Sequence, residues 1–256
     1  MRLLLLIPEM RAPGGTERMV ANLAGLLGER HEVAVTSFDT PGTAPIFPLP
    51  CPFHPLGGST RSRPLAYLDQ ARRLAALERR LGTQVTISNL WRADLVSALA
   101  GRHARRVALA HINVVGNPTN AAMLRLRPLV AAIYRRLDCL VAVSEGLEAE
   151  LASLYRLRPG RHTAIPNFVA SKPSDAPRDP DRLVWCGRMV PEKNVAALPA
   201  ILAALHRHRP DARLELIGDG PERATLADAP VTVHGQLADP QPLIAGAAAL
   251  LLPSRA

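Results

Sequence analysis

Aromatic residues and cysteines are scarce in this chain. Phe, Trp and Tyr together make up 4% of its 256 residues, and Cys51, Cys139 and Cys186 lie far apart without a CxxC pair. So few aromatics leave too little material for the base-stacking surfaces of single-stranded nucleic acid binders. The cysteine spacing fits neither a disulfide framework nor a zinc site, and it predicts free, buried thiols in a reducing compartment.

Long apolar runs are also missing. No stretch approaches the ~20 apolar residues that a membrane-spanning helix needs. The run Met1–Ile7, closed by Pro8, is shorter than the apolar region of a signal peptide and predicts a first β-strand. With 48% hydrophobic and 21% charged residues, the composition is that of a globular protein and not of a disordered one.

Positive charge is present in excess, with a formal net charge of +9. Such a surface favours a nucleic acid, a nucleotide or an anionic membrane face as partner. Because no helix-turn-helix or zinc-finger spacing is found, we expect no nucleic acid partner. Two basic helical stretches, 61–81 and 123–137, fit contact with an anionic membrane or helices packed on a sheet with their charges in solvent.

Apolar runs alternate with helical patterns along the chain, which is typical of βαβ units and parallel sheets. Residues 41–55 are too rich in proline to predict regular structure. A polar, proline-rich break at 171–181 predicts a linker between two doubly wound α/β domains, 1–170 and 182–256. Such domains bind ligands at the carboxyl ends of their strands, in the cleft between them.

Glycines follow the first predicted strand. Gly14 and Gly15 either let the backbone approach an anionic ligand at a helix start or form a plain tight turn. Thr16 is the expected cap of the helix and Glu17 suits its dipole. The spacing is not GxGxxG, so a nicotinamide-dependent dehydrogenase ranks last among the candidate enzymes.

Basic residues and glycines follow the strands predicted for the second domain. Gly187, Arg188 and Lys193 either form a diphosphate clamp before a helix or lie in a solvated loop. Gly218 and Gly220, after the next strand, allow a nucleotide to come close, although a turn explains them almost as well.

The histidines and one pair of aspartates complete the candidates. His111 ends a predicted strand, where it can act as a base or hydrogen-bond a hydroxyl. His234 fits a structural role better. Asp179 and Asp181 form a DxD motif that could bind a metal-bound diphosphate. Their place in the predicted linker favours two solvated carboxylates instead.

Seven short motifs follow one another along the chain: "GGTERMVANLA", "VAVSEGLEAEL", "IPNFV", "GRMVPEKN", "LIGDGPER", "VTVHGQL" and "LLLPSR". This ordered set resembles glycosyltransferase family 4, whose members have the GT-B fold of two facing Rossmann-like domains. The resemblance implies sugar transfer from a UDP- or GDP-type nucleotide-sugar, with retention and without a metal. The implied acceptor is a saccharide or a lipid-linked saccharide of the cell envelope, on the cytoplasmic face of the membrane.

The resemblance also implies roles for individual residues. Arg188 and Lys193 would hold the diphosphate and stabilise the leaving group, and His111 would approach the transferred sugar. These three are the expected catalytic residues. The remaining donor-binding residues would be Gly14, Gly15, Gly187, Gly218, Gly220, His234, Gly235 and Leu237, the last three near the base.

Two departures from the family pattern qualify the resemblance. Asn194 stands where the family commonly has glycine, and "LLLPSR" is not followed by the family's Glu-x7-Glu helix. The second domain is therefore expected to be incomplete, with an exposed apolar face at 250–252. An inactive truncated fragment and a GT-B-fold sugar-nucleotide epimerase remain the alternative functions.

Overall fold

The computed structural model describes residues 1–58, 63–115, 121–168, 177–237 and 239–254. These fall into two compact units, Met1–Ala170 and Ser171–Ala256. Each unit has its own sheet, and every strand pairing among the described residues is parallel. The predicted α/β class with parallel sheets is confirmed.

The first unit contains seven strands and six helices within the described ranges. They are β1 (Arg2–Ile7), α1 (Gly15–Gly28), β2 (Glu32–Ser37), β3 (Phe53–Pro55), α2 (Arg63–Leu81), β4 (Val85–Asn89), α3 (Trp91–Leu99), β5 (Arg105–Ala110), α4 (Ala121–Arg125), α5 (Arg127–Arg136), β6 (Cys139–Ala142), α6 (Glu145–Tyr155) and β7 (His162–Ala164). The sheet order is β3-β2-β1-β4-β5-β6-β7.

Strand β1, in the interior of this sheet, is buried on both faces. Leu4 and Leu6 pack in one cluster with residues of α2 and α3, whereas Leu3, Leu5 and Ile7 pack in a second cluster with residues of α1. Because alternate side chains point to opposite faces, a strand covered by helices on both sides needs an unbroken apolar run. The sequence "RLLLLI" supplies that run.

The second unit contains four strands in the order β10-β9-β8-β11. Its elements are β8 (Asp179–Cys186), 3-10 turns at Pro191–Lys193 and Val195–Ala197, α7 (Leu198–His206), β9 (Arg213–Ile217), a 3-10 segment at Pro221–Leu226, β10 (Thr232–Gly235), α8 (Gln241–Ala245) and β11 (Ala247–Leu250). Trp185 of β8 is 1% exposed at the centre of the main cluster.

Several predicted boundaries are wrong. Phe53–Pro55 is a strand, since proline is tolerated at a sheet edge, where β3 lies. Residues 179–181, predicted as linker, open β8. The rest of the predicted linker, 171–176, lies outside the described residues. The helical stretch predicted at 123–137 is divided between two helices, α4 and α5.

The last strand, β11, spans Ala247–Leu250 and pairs with β8. Because β11 lies at the sheet edge, Leu250 and Leu252 are 43% and 70% exposed. Leu250 and Leu252 are thus exposed, as expected, whereas Leu251 packs against the cluster around Trp185.

None of the helices in the described ranges is both long enough and apolar enough to cross a membrane.

Candidate functional site

The loop after β1 carries the first pair of predicted site residues. Helix α1 begins at Gly15, and its N-cap is Gly14 in an extended conformation, so the predicted cap at Thr16 is wrong. A Cβ added at Gly15 would meet no atom of the described chain within 4 Å. Packing within the described protein therefore does not require glycine at this position.

A buried carboxylate anchors the same loop. Asp39, 7% exposed, accepts a hydrogen bond from the backbone N–H of Met10 at 2.7 Å and another from the Ser37 hydroxyl at 2.8 Å. These bonds tie the chain after β1 to the chain after β2. The sequence analysis missed Asp39. Its signal was an acidic residue placed directly after a buried strand.

His111 follows β5 directly and lies beside the end of β4. Its Nε2 is 3.0 Å from Oδ1 of Asn89. The amide nitrogen of Asn89 donates to the carbonyl oxygens of Leu6 at 3.2 Å and Ile87 at 3.4 Å. Because these bonds orient the amide, Oδ1 must accept, and Nε2 of His111 must carry the proton. Nδ1 then carries the lone pair, and in the described part of the chain it has no hydrogen-bond partner.

Burial keeps this imidazole neutral. It lowers the pKa of His111 from 6.5 to about 4. The nearby carboxyl of Asp94 lines the same small cavity of about 30 Å³. Burial raises the pKa of Asp94 to about 8, although hydrogen bonds from Ser88 and Tyr134 oppose the shift. A protonated Asp94 does not stabilise an imidazolium, so both groups are uncharged near neutral pH.

The residue between β4 and α3 has an unusual backbone. Leu90 adopts φ 70° and ψ 146° immediately after Asn89. Positive φ is costly for a residue with a side chain, and such outliers concentrate at functional sites. Leu90 and Asn89 were both missed by the sequence analysis. The signal for Asn89 was a polar residue at the end of a buried strand next to the strand of His111.

Three loops at the carboxyl edge of the second sheet are joined by backbone hydrogen bonds. The N–H of Gly187 donates to the carbonyl of Ile217, that of Met189 to Asp219, and that of Gly218 to Gly235. The structure therefore brings together the predicted residues Gly187, Gly218, Gly220 and Gly235.

The glycines of the second unit have a packing role that the sequence analysis did not foresee. A Cβ on Gly218 would lie 1.8 Å from the carbonyl oxygen of Gly187, and one on Gly220 would lie 2.5 Å from that of Met189. Both glycines also have positive φ, 133° and 155°. Close approach of two backbones, and not only of a ligand, requires glycine here.

Arg188 and Lys193 lie on the loop after β8, and both are exposed. Neither side chain has a carboxylate within 4 Å in the described part of the chain. Asn194 follows in the left-handed conformation, with φ 52°, and its amide donates to the carbonyl of Pro253 at 3.2 Å. Asparagine tolerates the left-handed region, so the loop keeps a conformation that glycine would allow.

The other predicted donor-binding residues of this unit have partners within the protein. His234, on β10, lies 2.8 Å from Glu215 of the neighbouring strand, which fits the structural role. Leu237 packs against the apolar cluster that includes Val184 and Ile217. At Gly235, the backbone of this segment lies at the carboxyl ends of the strands.

The aspartates predicted to be solvated in a linker lie instead on a strand and form ion pairs. Asp179 pairs with Arg213 of β9, and Asp181 pairs with Arg209 at 2.8 Å. They are thus engaged at the start of β8, away from the glycine loops at its end. Among the residues that the structure describes, no group of three or more His, Cys, Asp or Glu side chains could hold a metal ion.

Comparisons with known proteins identify the family. Residues 13–172 match the profile of Glycosyltransferase Family 4, and residues 180–256 match that of Glycosyl transferases group 1. A search among curated proteins returns no match.

Solved structures share the fold at low identity. The lipopolysaccharide outer core galactosyltransferase WaaB is 16% identical with a TM-score of 0.67, over 99% of this chain and 74% of its own. HepE from Anabaena, in complex with UDP and glucose, is 19% identical with a TM-score of 0.71, over 100% and 75%. Sucrose-phosphate synthase from Thermosynechococcus elongatus is 19% identical with a TM-score of 0.74, over 99% and 76%.

These neighbours are GT-B glycosyltransferases, in agreement with the expected fold. The family profile covers more than half of the 256 residues. The chain therefore belongs to glycosyltransferase family 4.

Proposed function

We propose that this chain transfers a sugar from a UDP- or GDP-type nucleotide-sugar to a saccharide or lipid-linked acceptor in cell-envelope polysaccharide or glycolipid synthesis. Family membership supplies the reaction class. The observation that carries the donor side is the pair of exposed cations without carboxylate partners in the described chain, Arg188 and Lys193, beside the joined glycine loops. The solved complex of HepE with UDP and glucose supports a UDP-type donor.

Arg188 and Lys193 would act on the leaving group. Sugar transfer leaves negative charge on the nucleoside diphosphate, and that charge grows towards the transition state. A guanidinium can bind two phosphate oxygens at once, and an ammonium adds a compact charge. These two side chains can supply the stabilisation that a metal gives elsewhere, so the proposed reaction is metal-free.

The glycine loops would fix the position of the donor. Because Gly187, Gly218 and Gly220 are held by backbone packing, the loop that carries Arg188 starts from a defined position. Preorganised groups need little rearrangement when charge develops. In this proposal the backbone of Gly235 and its neighbours His234 and Leu237 passes near the base.

The first unit would supply the remaining site residues. The open position at Gly15, together with Gly14, lets a diphosphate or an acceptor approach the start of α1. Nδ1 of His111 would accept a hydrogen bond from a sugar hydroxyl. Its proposed role is orientation of the sugar, because an imidazole with a pKa of about 4 is a weak base.

A peripheral contact with an anionic membrane would bring a lipid-linked acceptor to the first unit. Leu124, Leu126 and Leu129 are 38%, 47% and 52% exposed around the junction of α4 and α5. Arg125 and Arg127 alternate with them. Exposed leucines interleaved with arginines suit the headgroup region of a bilayer.

Calorimetric titration of the full chain with UDP, GDP and ADP tests the donor side. We expect micromolar binding of one nucleotide, and an affinity at least tenfold lower in Arg188→Ala and in Lys193→Ala. Arg207→Ala, at the other end of α7, is the matched control and should bind normally. Equal affinity in all three variants would contradict the proposal.

Product analysis separates the alternative functions. With UDP-glucose and a panel of saccharide acceptors, the proposal predicts a glycosylated acceptor. An epimerised nucleotide-sugar formed without acceptor would favour the epimerase. Nucleotide binding without either product would favour the inactive fragment.

A further inference from the structure

A second cavity lies in the first unit, at the amino ends of the strands. The candidate site residues of this unit lie at the opposite, carboxyl ends. The cavity has a volume of about 640 Å³. Gln84, Arg105, Asp138 and Arg161 line it, and each lies at or just before the amino end of one of the adjacent strands β4, β5, β6 and β7. His111, in contrast, follows the carboxyl end of β5.

Arginines dominate the lining. The cavity lining contains Arg102, Arg105, Arg106, Arg135, Arg136, Arg158 and Arg161. They come from three segments that lead into β5, β6 and β7, so the parallel sheet gathers them at one edge. We call this feature the arginine cavity.

Little negative charge offsets these side chains. Glu78 neutralises Arg106 in a buried pair with an Nη2–Oε2 distance of 2.8 Å. Asp138 is the single carboxylate in the lining, and its Oδ2 accepts from the backbone N–H of Arg106. The other six arginines have no carboxylate within 4 Å in the part of the chain that the structure describes.

Most of the guanidinium donors also lack a partner among the residues that the structure describes. Arg135 donates from Nε to the carbonyl of Ala131, and Arg161 donates weakly to that of Leu137 at 3.4 Å. Within the described ranges, the side chains of Arg102, Arg105, Arg136 and Arg158 make no hydrogen bond. Unpaired like charges around one concavity raise its potential and attract anions.

The shape of the cavity suits a small anion. Its volume falls within the range of ordinary ligand pockets, about 300–1,000 Å³. Leu140 and Leu157 add apolar surface to the lining. The guanidinium groups of the lining suit phosphate, because two phosphate oxygens can accept two parallel hydrogen bonds from one arginine.

We propose that the arginine cavity binds an anion that carries two or more phosphate groups. The source is either a soluble polyphosphate compound, such as a nucleotide, or the two-phosphate headgroup of a phospholipid such as cardiolipin, because both present several phosphate groups. The proposal does not rest on the sugar-transfer activity. The cavity and the exposed Arg188 lie in different units of the chain.

Titration with inorganic tripolyphosphate tests the proposal. The donor site could also bind this probe, so the titration is made in the full chain carrying Arg188→Ala and Lys193→Ala. Arg105→Gln with Arg158→Gln removes two cavity charges, and Arg102→Gln with Arg136→Gln removes another two. Both pairs are exposed and make no side-chain hydrogen bond in the described chain, so folding should not change.

The matched control removes two exposed arginines elsewhere in the same unit, Arg30→Gln and Arg72→Gln. We expect one tripolyphosphate per chain, bound at least tenfold more weakly in each cavity pair and normally in the control. Absence of binding in the parent chain, or equal loss in the control, would overturn the proposal.

Vesicle sedimentation assigns the source of the phosphate. Vesicles of phosphatidylcholine with one-fifth cardiolipin are compared with vesicles of phosphatidylcholine alone. Sedimentation with the acidic vesicles that is lost in both cavity pairs would assign a lipid headgroup. Sedimentation unaffected by the cavity pairs, together with their loss of tripolyphosphate binding, would assign a soluble polyphosphate.

Discussion

The two units hold their candidate site residues in different ways. In the first unit the protein fixes the state of a side chain, because burial desolvates His111 and Asn89 fixes its tautomer. In the second unit close packing at glycines fixes the position of the backbone, whereas the side chains of Arg188 and Lys193 extend into solvent. Under the proposed function, the rigidly placed imidazole would orient a neutral sugar, and the exposed cations would meet the diphosphate from a loop whose start is fixed.

Two tryptophans allow the units to be measured separately. Trp91 belongs to the first unit and Trp185 to the second, and the chain has no others. Replacing one of them with Phe leaves fluorescence that reports on a single unit. This matters because a chain of two units need not unfold in one two-state step.

The largest expected effect is that of Gly218→Ala. Its Cβ would overlap the carbonyl of Gly187, and its φ of 133° is unfavourable for alanine. We expect the second unit to lose about 4 kcal/mol or more of unfolding free energy, measured by urea titration with Trp185 fluorescence. The Trp91 signal of the first unit should not change.

Gly15→Ala is the counterpart in the first unit. Since its Cβ meets nothing within 4 Å in the described chain, we expect stability within about 1 kcal/mol of the parent, together with weaker donor binding or slower turnover. A stable variant with full activity would remove Gly15 from the site. A loss of several kcal/mol would show that packing requires the glycine.

The next effect compares a buried with an exposed ion pair. Arg106 and Glu78 are 3% and 0% exposed, and Thr86 also donates to the same carboxylate. Arg106→Ala leaves that charge buried without its partner, so we expect a loss of about 3–5 kcal/mol in the first unit. Arg209→Gln breaks the exposed pair with Asp181 and should cost about 1 kcal/mol or less. Urea titrations with the two tryptophans measure both.

A smaller effect depends on pH. The pKa of Asp94 is about 8 in the folded protein and near 3.8 when unfolded. Between these values the unfolded chain binds fewer protons than the folded chain, so stability from this group falls as pH rises from 4 to 8. Asp94→Asn should remove that decline and be more stable than the parent at pH 8 by about 1 kcal/mol or more.

The exposed Asp211→Asn is the control for this measurement. It should leave the pH dependence of the Trp91 transition unchanged. An Asp94→Asn variant whose stability follows the parent at every pH would mean that Asp94 is ionised in the fold.

The smallest expected effect concerns the tautomer of His111. Nitrogen NMR should find Nε2 protonated at pH 7 and titration near pH 4. In Asn89→Ala the acceptor is lost, so the two tautomers should become more equal. His111→Gln assigns the signals. Titration of His111 near pH 6.5 in the parent would contradict the buried, neutral state.

The sequence predicted the positions of the candidate site residues in the fold better than the contacts that hold them there. Glycines and basic residues directly after apolar runs place themselves at the carboxyl edges of parallel sheets, because all strands of such a sheet end on the same side. The pairing of His111 with Asn89 depends on β4 lying beside β5, which local patterns do not specify. The same holds for Gly218, whose constraint comes from the neighbouring strand β8.

The wrong boundaries have a similar origin. Asp179–Asp181 is polar and proline-bearing, which predicts a linker when each residue is considered alone. Arg213 and Arg209 on other elements satisfy its carboxylates, so the segment can be a strand. Interactions between elements decided the structure there, and a single sequence does not display them.

The hydrogen bond from Asn194 to Pro253 has a consequence for ligand sensing. It links the loop of Lys193 to the segment just after β11, where the N–H of Leu251 donates to Val184 at 2.8 Å. A diphosphate that immobilises the loop should therefore slow amide hydrogen exchange at Leu251, although that amide would not touch the ligand. The exchange rate of one backbone amide would then report occupancy of the proposed donor site.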